Sequence, residues 1–411
     1  MSKNLRFKSS KLVDETYRIS FKFNNKTYYG YKGDTLASAL LANDVHLVGR
    51  SFKYHRPRGF YTCGIEEPNA LVQIISEYSE PNTRATIKKI YEGMEIESQN
   101  RWPSLETDIG SINNIFSPVF PAGFYYKTFM GPHKNFWKKI YEPIIRKAAG
   151  LGKPPKEFKA VSTHLYHNVD ITIVGGGLNG LIAAKSLIDT KYSVLLIDFD
   201  DQLGGILNNS NKVLSVNNQT PMDWISETVK EIENSKNIKI LKNTLVTTYN
   251  YINHLIAVED KFVGSRPLKD KVNSTLHKIR TDQVILCNGH IERFLSFQNN
   301  DLPGIMLCSS FEKYMCRYGV IPSKETVVFS NNSNSESLVF SLIKKGFKPK
   351  AYIDSRSGEN IEPDLFDLIR KNDIPLYTNS KIKGAYGNKK LQKILVEDSS
   401  GGVNEIKTDF L

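Results

Sequence analysis

Residues 170–205 read DITIVGGGLNGLIAAKSLIDTKYSVLLIDFDDQLGG, and this stretch decides the fold. The apolar and β-branched run 171–174 predicts a buried strand that leads directly into the glycines of residues 175–180. A helical run follows, and a second apolar strand over residues 194–197 ends on Asp198. This order of strand, glycine turn, helix, strand and acid predicts a β-α-β unit that binds a dinucleotide.

The parts of this stretch have separate roles in such a site. Gly175 allows the tight turn, Gly177 leaves a pyrophosphate room beside the backbone, and Gly180 lets the helix pack close to the sheet. The helix N-terminus offers unpaired N–H groups and a positive dipole end. Asp198 is placed to accept hydrogen bonds from a ribose, which favours NAD or FAD over NADP without separating NAD from FAD. The alternative is a Rossmann domain that has kept its shape and lost its ligand.

The glycines further along the chain extend the predicted site. Gly204 and Gly205 are expected to let backbone approach the cofactor, the alternative being a plain turn. Gly289 follows a later apolar strand, and a contact and a mere turn are equally open there. The full set of predicted cofactor-binding residues is Gly175, Gly176, Gly177, Asn179, Gly180, Asp198, Gly204, Gly205 and Gly289.

Composition places the chain among ordinary globular proteins. Its 411 residues suffice for two or three domains, and hydrophobic residues make up 40% and charged residues 24%. No apolar run approaches the length of a membrane span, and the first residues lack the apolar core of a signal peptide. We therefore expect a cytoplasmic protein without a membrane partner.

The formal net charge of +12 raises the question of nucleic-acid binding. The lysines are spread along the chain, so a lysine-rich solvated surface is the favoured interpretation and no nucleic-acid partner is expected. A phosphate-rich cofactor or an acidic partner subunit would absorb part of the charge.

Cysteine and histidine patterns argue against a metal site. The four cysteines include no CxxC pair, and the eight histidines form no HxH or HxxxH cluster. No residue stands out as a catalytic nucleophile or general base, so we assign no catalytic residue and no metal ligand. The cysteines are Cys63, Cys287, Cys308 and Cys316.

Residues 1–90 predict a small β-rich module. Alternation and turn residues predict a hairpin over residues 17–31, and Asp34 is the expected cap of a helix over residues 35–42. Residues 50–61 then interleave basic and aromatic side chains. For this segment we expect an interface or a place next to the cofactor, with nucleic-acid binding and a solvated loop as the alternatives.

Residues 91–165 predict a strap or linker that lies against the larger domain. Its aromatic residues and prolines are too apolar for a disordered linker, and residues 136–149 read as a helix interrupted at Pro143.

Residues 166–411 predict the nucleotide domain. Residues 326–354 repeat the β-α-β pattern, with asparagine and serine over residues 331–335 where glycines would lie. Residues 407–411 look like the start of another core strand, which predicts a truncated product or a fragment.

Several blocks carry a resemblance to a known family. The glycine-turn strand, the GG doublet and the later segment VILCNGH (residues 284–290) together resemble the glutathione-reductase-like, two-dinucleotide flavoprotein class. Three blocks resemble the α subunit of heterotetrameric sarcosine oxidase over nearly the whole chain. They are GDTLASALLANDVHLVGRSFKYHRPRGFYTCGIEEPNALV (33–72), FWKKIYEPIIRKAAGLGKPP (136–155) and NGHIERFLSFQNNDLPGIML (288–307).

The resemblance implies a function divided among subunits. That family oxidatively demethylates sarcosine to glycine, passes the one-carbon unit to tetrahydrofolate and forms hydrogen peroxide. The α subunit carries NAD, a β-type subunit carries FAD at the amine-oxidising centre, FMN lies at their contact, and smaller subunits complete the heterotetramer. The folate domain occupies the C-terminal half of a full-length α subunit, so this chain is expected to lack it.

The resemblance also implies a [2Fe–2S]-ferredoxin-like fold for the first module. Cys63 is the one cysteine in that part of the sequence, whereas a cluster needs about four ligands. We expect the fold without the cluster.

Two alternatives stay open. One is a subunit of a related amine or imino-acid dehydrogenase acting on proline, dimethylglycine or an opine. The other is a non-catalytic truncated remnant that folds and binds a nucleotide.

Overall fold

The computed structural model describes residues 5–7, 12–76, 79–115, 117–119, 131–148, 152, 161–209, 215–268 and 271–411. The chain divides into two compact units. The larger unit is Met1–Lys156 together with Arg293–Leu411, and the smaller unit is Glu157–Glu292. Residues 293–411 thus group with the N-terminal part, whereas the sequence pattern predicts them as part of the nucleotide domain; the domain boundaries from sequence stay a prediction.

The larger unit begins with a five-stranded sheet in the order β2-β1-β7-β5-β6 and a two-stranded β3-β4 ribbon. The predicted hairpin is present, and Asn24 and Asn25 form its two-residue turn with φ of 49° and 64°, the backbone that such turns require. The elements are β1 (Asp14–Phe23), β2 (Lys26–Lys32), α1 (Leu36–Ala42), β3 (Gly49–Arg50), β4 (Pro57–Arg58), β5 (Leu71–Ile74), β6 (Glu80–Arg84) and β7 (Met94–Ser98).

Helix α1 is buried along its whole length because LASALLA carries only small and apolar side chains. Its N-cap is Thr35, whose hydroxyl accepts a hydrogen bond from the Ser38 N–H, so the prediction that Asp34 is the cap was wrong. The buried Asp34 carboxylate instead pairs with Arg6 at 2.6 Å and accepts a hydrogen bond from the Ser38 hydroxyl. The Asp34 carboxylate therefore forms an ion pair with a residue distant in the sequence, although the local sequence predicted that it would cap the helix.

The predicted helix over residues 136–149 is an irregular one. It consists of α2 (Lys134–Phe136), a π-helical segment Trp137–Tyr141 and α3 (Glu142–Ala148). Pro143 is the second residue of α3, directly after the π-helical segment, so its missing N–H leaves out one hydrogen bond to the preceding turn of this continuous helical run. Much of the predicted strap, including residues 116, 120–130, 149–151 and 153–160, lies outside the described residues.

The smaller unit is a six-stranded sheet in the order β10-β9-β8-β13-β12-β11. The first four strands of that order run parallel, and β12 and β11 join antiparallel. Its elements are β8 (Val161–Val174), α4 (Leu178–Ser186), β9 (Val194–Ile197), α5 (Pro221–Asn234), β10 (Ile238–Leu241), β11 (Thr244–Asn250), β12 (His254–Asp260) and β13 (Val272–Leu286).

Residues 293–411 contribute two three-stranded sheets, β14-β15-β16 and β17-β18-β19. The second β-α-β pattern predicted from sequence is present as β14, α7 and β15. The elements are α6 (Cys308–Tyr318), β14 (Val327–Ser330), α7 (Glu336–Lys344), β15 (Ala351–Asp354), α8 (Pro363–Lys371), β16 (Leu376–Tyr377), β17 (Lys381–Gly387), β18 (Leu391–Glu397) and β19 (Val403–Lys407). Beside β14, Phe410 bridges Thr326 and is 1% exposed.

No helix among the described residues is both long and apolar enough to cross a bilayer. The described residues likewise contain no group of three or more histidine, cysteine, aspartate or glutamate side chains arranged to hold a metal ion.

Candidate dinucleotide-binding site

The turn from β8 into α4 is built by close backbone contacts. Gly175 has φ of +105°, and its N–H donates to the Ile197 carbonyl at 2.8 Å. A Cβ at Gly175 would lie 2.3 Å from the Cys287 carbonyl oxygen, and one at Gly180 would lie 1.8 Å from the Gly175 oxygen. Packing of the turn against β13 and against the helix therefore excludes any side chain at these two positions.

Asp198 ties this turn to the carboxyl end of β9. Its Oδ2 accepts a hydrogen bond from the Gly176 N–H at 2.5 Å, and its Oδ1 accepts one from the Asp200 N–H at 2.7 Å. Leu203 fills the adjacent space, since a Cβ at Gly176 would lie 2.4 Å from Leu203 Cδ2. A carboxylate can accept roughly four hydrogen bonds, so these two contacts are compatible with a further one from a ribose.

The Gly204-Gly205 doublet packs backbone to backbone against the first glycine turn. Gly204 has φ of +122°, and its N–H donates to the Gly176 carbonyl at 2.8 Å. A Cβ at Gly205 would lie 2.9 Å from Gly177 Cα. Asn208 holds the doublet's turn, because its Nδ2 donates to the Leu203 carbonyl at 2.8 Å. The doublet thus shapes the edge of the crevice by approaching Gly177 closely.

The open side of the crevice lies at the start of α4. A Cβ at Gly177 would have Gly205 Cα, at 3.8 Å, as its nearest neighbour, and a Cβ at Gly289 would have none within 4 Å. Asn179 is exposed in the first turn of α4. A side chain at Gly177 would therefore occupy space that the fold leaves empty, which fits a ligand lying against the backbone. The helix N–H groups and dipole suit an anionic ligand there.

Three residues of this arrangement were not predicted from the sequence. Leu203 packs beside Gly176, Asn208 fixes the glycine doublet, and the Cys287 carbonyl borders Gly175. Their contacts cross from separate loops, and no local motif signals them. Burial raises the pKa of the Cys287 thiol, which keeps it protonated at neutral pH and makes it a poor nucleophile.

The basic and aromatic segment of residues 50–61 is held inside the larger unit. Arg50 donates to the Leu105 carbonyl at 2.6 Å, and His55 Nδ1 lies 2.6 Å from Asp108 Oδ2. Arg56 makes a bidentate contact with Asp301 at 2.6 and 2.7 Å, and Arg58 pairs with the same carboxylate. These charges bind the segment to residues 105–108 and 299–301 of the same unit.

Asp301 generates a prediction about acid stability. Burial alone would raise the pKa of its carboxyl, but the two guanidinium groups outweigh burial and lower it. A depressed folded-state pKa stabilises the fold above the unfolded value of about 3.9, and this stabilisation is lost as pH falls through the folded pKa. We expect Asp301→Asn to lower the free energy of unfolding at pH 7 by about 1–3 kcal/mol.

The measurement is thermal unfolding from pH 7 down to pH 3. The melting temperature of Asp301→Asn should lie below that of the parent protein at pH 7. This difference should shrink as the pH falls, because the parent protein then loses the same interaction. Asp367→Asn, on the exposed surface of α8, is the matched control. A difference in melting temperature that stays constant across the pH range would contradict the ion-pair account.

The two glycine contacts of α4 predict different outcomes for the same substitution. Gly180→Ala should destabilise the smaller unit, because its Cβ would meet the Gly175 carbonyl oxygen. Gly177→Ala should leave the melting temperature within about 2 °C, because φ there is −73° and no atom lies closer than 3.8 Å. It should nonetheless weaken nucleotide binding at least tenfold, measured by calorimetry. Unchanged affinity in Gly177→Ala would place the ligand elsewhere.

Two known protein families match segments of this chain. The family described as a 2Fe-2S iron-sulfur cluster binding domain matches residues 16–101, and the NAD(P)-binding Rossmann-like domain matches residues 173–239. The predicted fold class is confirmed. Residues 16–101 contain only Cys63 as a cysteine, so they do not fit an iron–sulfur cluster, which requires about four such ligands.

The relatives that match most of this chain are sarcosine oxidase α subunits. The sarcosine oxidase α subunit of Rhizobium meliloti (strain 1021) is 40% identical over 355 residues, which are 85% of this chain and 36% of the relative. That of Corynebacterium sp. (strain P-1) is 28% identical over 84% of this chain and 31% of the relative. The chain thus spans about a third of the length of the curated relatives it matches.

One solved structure has a similar fold. The crystal structure of L-proline dehydrogenase from P. horikoshii aligns with a TM-score of 0.61 at 20% identity, covering 98% of this chain and 61% of that chain. At this identity the likeness concerns the fold alone. Together with the blocks quoted from the sequence, the 40% identity confirms the predicted resemblance: over the matched residues, this chain is a relative of the sarcosine oxidase α subunits.

Proposed function

We propose that the smaller unit binds NAD in the crevice between the two glycine turns, with FAD as the alternative. The N–H groups at the start of α4 would hold the pyrophosphate, and Asp198 would accept hydrogen bonds from a ribose. The observation that supports this is the open space at Gly177, bordered by Gly205 at 3.8 Å. A bound nicotinamide or flavin supplies the hydride chemistry, while the protein supplies position and electrostatics.

We infer further that the chain acts as an α-type subunit in a sarcosine oxidase complex. The support is the 40% identity over 85% of the chain. The reaction would be the oxidative demethylation of sarcosine to glycine, with the one-carbon unit passed to tetrahydrofolate and hydrogen peroxide formed. The amine-oxidising centre would lie on a β-type partner with FAD and FMN in the complex, which agrees with the assignment of no catalytic residue to this chain.

A subunit of an imino-acid dehydrogenase is the second candidate. The observation that favours it is the fold match to L-proline dehydrogenase over 98% of this chain. Both candidates oxidise a CH–NH bond, and they differ in the amine, whose pocket we place on the partner subunit.

The cofactor assignment is tested by denaturing the purified chain and identifying the released nucleotide by absorbance and mass spectrometry. We expect colourless NAD in stoichiometric amount. Stoichiometric yellow FAD would overturn the NAD assignment and make this chain a flavin-binding subunit. Release of no nucleotide, together with no binding of added NAD or FAD, would overturn the dinucleotide site itself.

The substrate assignment is tested on the complex that co-purifies with a tagged form of this chain. We expect sarcosine to be oxidised at least tenfold faster, in kcat/KM, than proline or dimethylglycine. Hydrogen peroxide release and oxygen uptake are the measurements. Preference for proline would support the imino-acid dehydrogenase instead, whatever nucleotide the chain itself releases.

A further inference from the structure

The loop of residues 60–70 is organised around the buried carboxylate of Glu67, which is 1% exposed. Five donors converge on its two oxygens. Oε2 accepts from the N–H groups of Tyr61 and Thr62 at 3.0 and 2.7 Å and from the Thr62 hydroxyl at 3.1 Å. Oε1 accepts from the N–H groups of Asn69 and Ala70 at 2.7 and 3.1 Å. One side chain thereby ties both ends of the loop together.

Cys63 lies inside this loop, and it is the cysteine that any cluster in residues 16–101 would have to use. Its side chain is 2% exposed, and burial raises the pKa of its thiol to about 11, which disfavours the thiolate that a metal requires. The two histidines in this range already face carboxylates: His46 Nε2 lies 3.0 Å from Asp44, and His55 Nδ1 lies 2.6 Å from Asp108. The donor set does not suit iron.

The loop also makes hydrogen bonds to the distant residues around α6. The Tyr61 carbonyl accepts from the Leu307 N–H at 3.0 Å, and the Thr62 carbonyl accepts from the Tyr314 hydroxyl at 2.9 Å. Tyr314 itself is fully buried. Tyr61 and Thr62, two of the four residues whose N–H groups bind Glu67, thus also provide the carbonyl groups that accept from α6 and its N-terminal flank.

We propose that residues 16–101 form a structural connector in which Glu67, in place of an iron–sulfur cluster, organises the loop of residues 60–70 and so fixes α6. The peptide groups of Tyr61 and Thr62 transmit the constraint, since each residue donates to Glu67 and accepts from α6 or its N-terminal flank. Buried N–H groups must find partners, and the Glu67 carboxylate is the acceptor for four of them in this loop. This module would then serve assembly of the larger unit rather than electron transfer.

The first test is hydrogen exchange of Glu67→Gln, with Glu66→Gln as the matched control. The glutamine places an NH2 group against donors that need an acceptor. Either the N–H groups of Tyr61 and Thr62 or those of Asn69 and Ala70 should therefore lose protection tenfold or more. Leu307 should lose protection with them, because its acceptor is the Tyr61 carbonyl. Glu66 makes none of the five bonds, and its variant should match the parent protein. Loss confined to the loop, or no loss at all, would overturn the connector.

If Glu67→Gln does not fold, Tyr314→Phe tests the same connection, because it removes only the hydroxyl, which donates to the Thr62 carbonyl and also contacts the Cys63 thiol in the same loop. We expect faster exchange in α6 and a lower melting temperature. Parent-like behaviour in both measurements would count against the proposal.

The second test is anaerobic reconstitution of the full chain with ferrous iron and sulfide, beside Cys63→Ala. We expect both proteins to retain the same background iron and acid-labile sulfide, with no visible charge-transfer band. Stoichiometric iron and sulfide in the parent chain, lost in Cys63→Ala, would overturn the proposal.

Discussion

The hydrogen bond from the Gly176 N–H to the Asp198 carboxylate is the contact on which the candidate site depends. It joins the turn after β8 to the end of β9, and the Gly204 N–H returns to the Gly176 carbonyl from the other side. Gly176 is therefore fixed through both its donor and its acceptor. This leaves Gly177 at the rim with its backbone in an ordinary conformation, next to open space rather than to a side chain.

The second β-α-β unit shows what happens when side chains occupy the corresponding positions. Asp354 is the last residue of β15 and Asp198 directly follows β9, but the Asp354 carboxylate receives a bidentate contact from the Arg356 guanidinium at 2.8 and 3.0 Å. Arg356 also donates to the Ser333 hydroxyl in the turn before α7. In the second unit an arginine side chain thus binds the carboxylate at the strand end, whereas in the first unit the backbone N–H of Gly176 binds it.

Local sequence predicted the elements whose signal is local. The strand over residues 194–197 and that over 351–354 match to the residue, because each is a short apolar run bounded by polar residues. Strand β8 begins at Val161, ten residues before the predicted start, since its polar first half is held by pairing with β13. No local pattern could show that pairing, because the partner strand lies more than a hundred residues away.

The same limit applies to the candidate site. Its glycines and Asp198 could be named from spacing alone, and their role in binding a nucleotide stays a prediction. Leu203 and Asn208 could not be named, because their contacts depend on how the loop after β9 returns to the first glycine turn. At Asp34 the local sequence predicted a helix cap, and the prediction was wrong because the carboxylate forms an ion pair with Arg6.

The positive charge of the chain can also be interpreted in terms of specific partners. The net charge of +12 suggested polyanions, and residues 50–61 were the most suggestive segment. Arg56 and Arg58 nevertheless share the carboxylate of Asp301, and their side chains are 26% and 20% exposed. A guanidinium already engaged by a partly buried carboxylate would have to give up that contact to bind a phosphate, and breaking such a pair is costly. The charges of Arg56 and Arg58 therefore stabilise the fold of the larger unit, and the anion site that we propose uses the backbone N–H groups at the start of α4 instead.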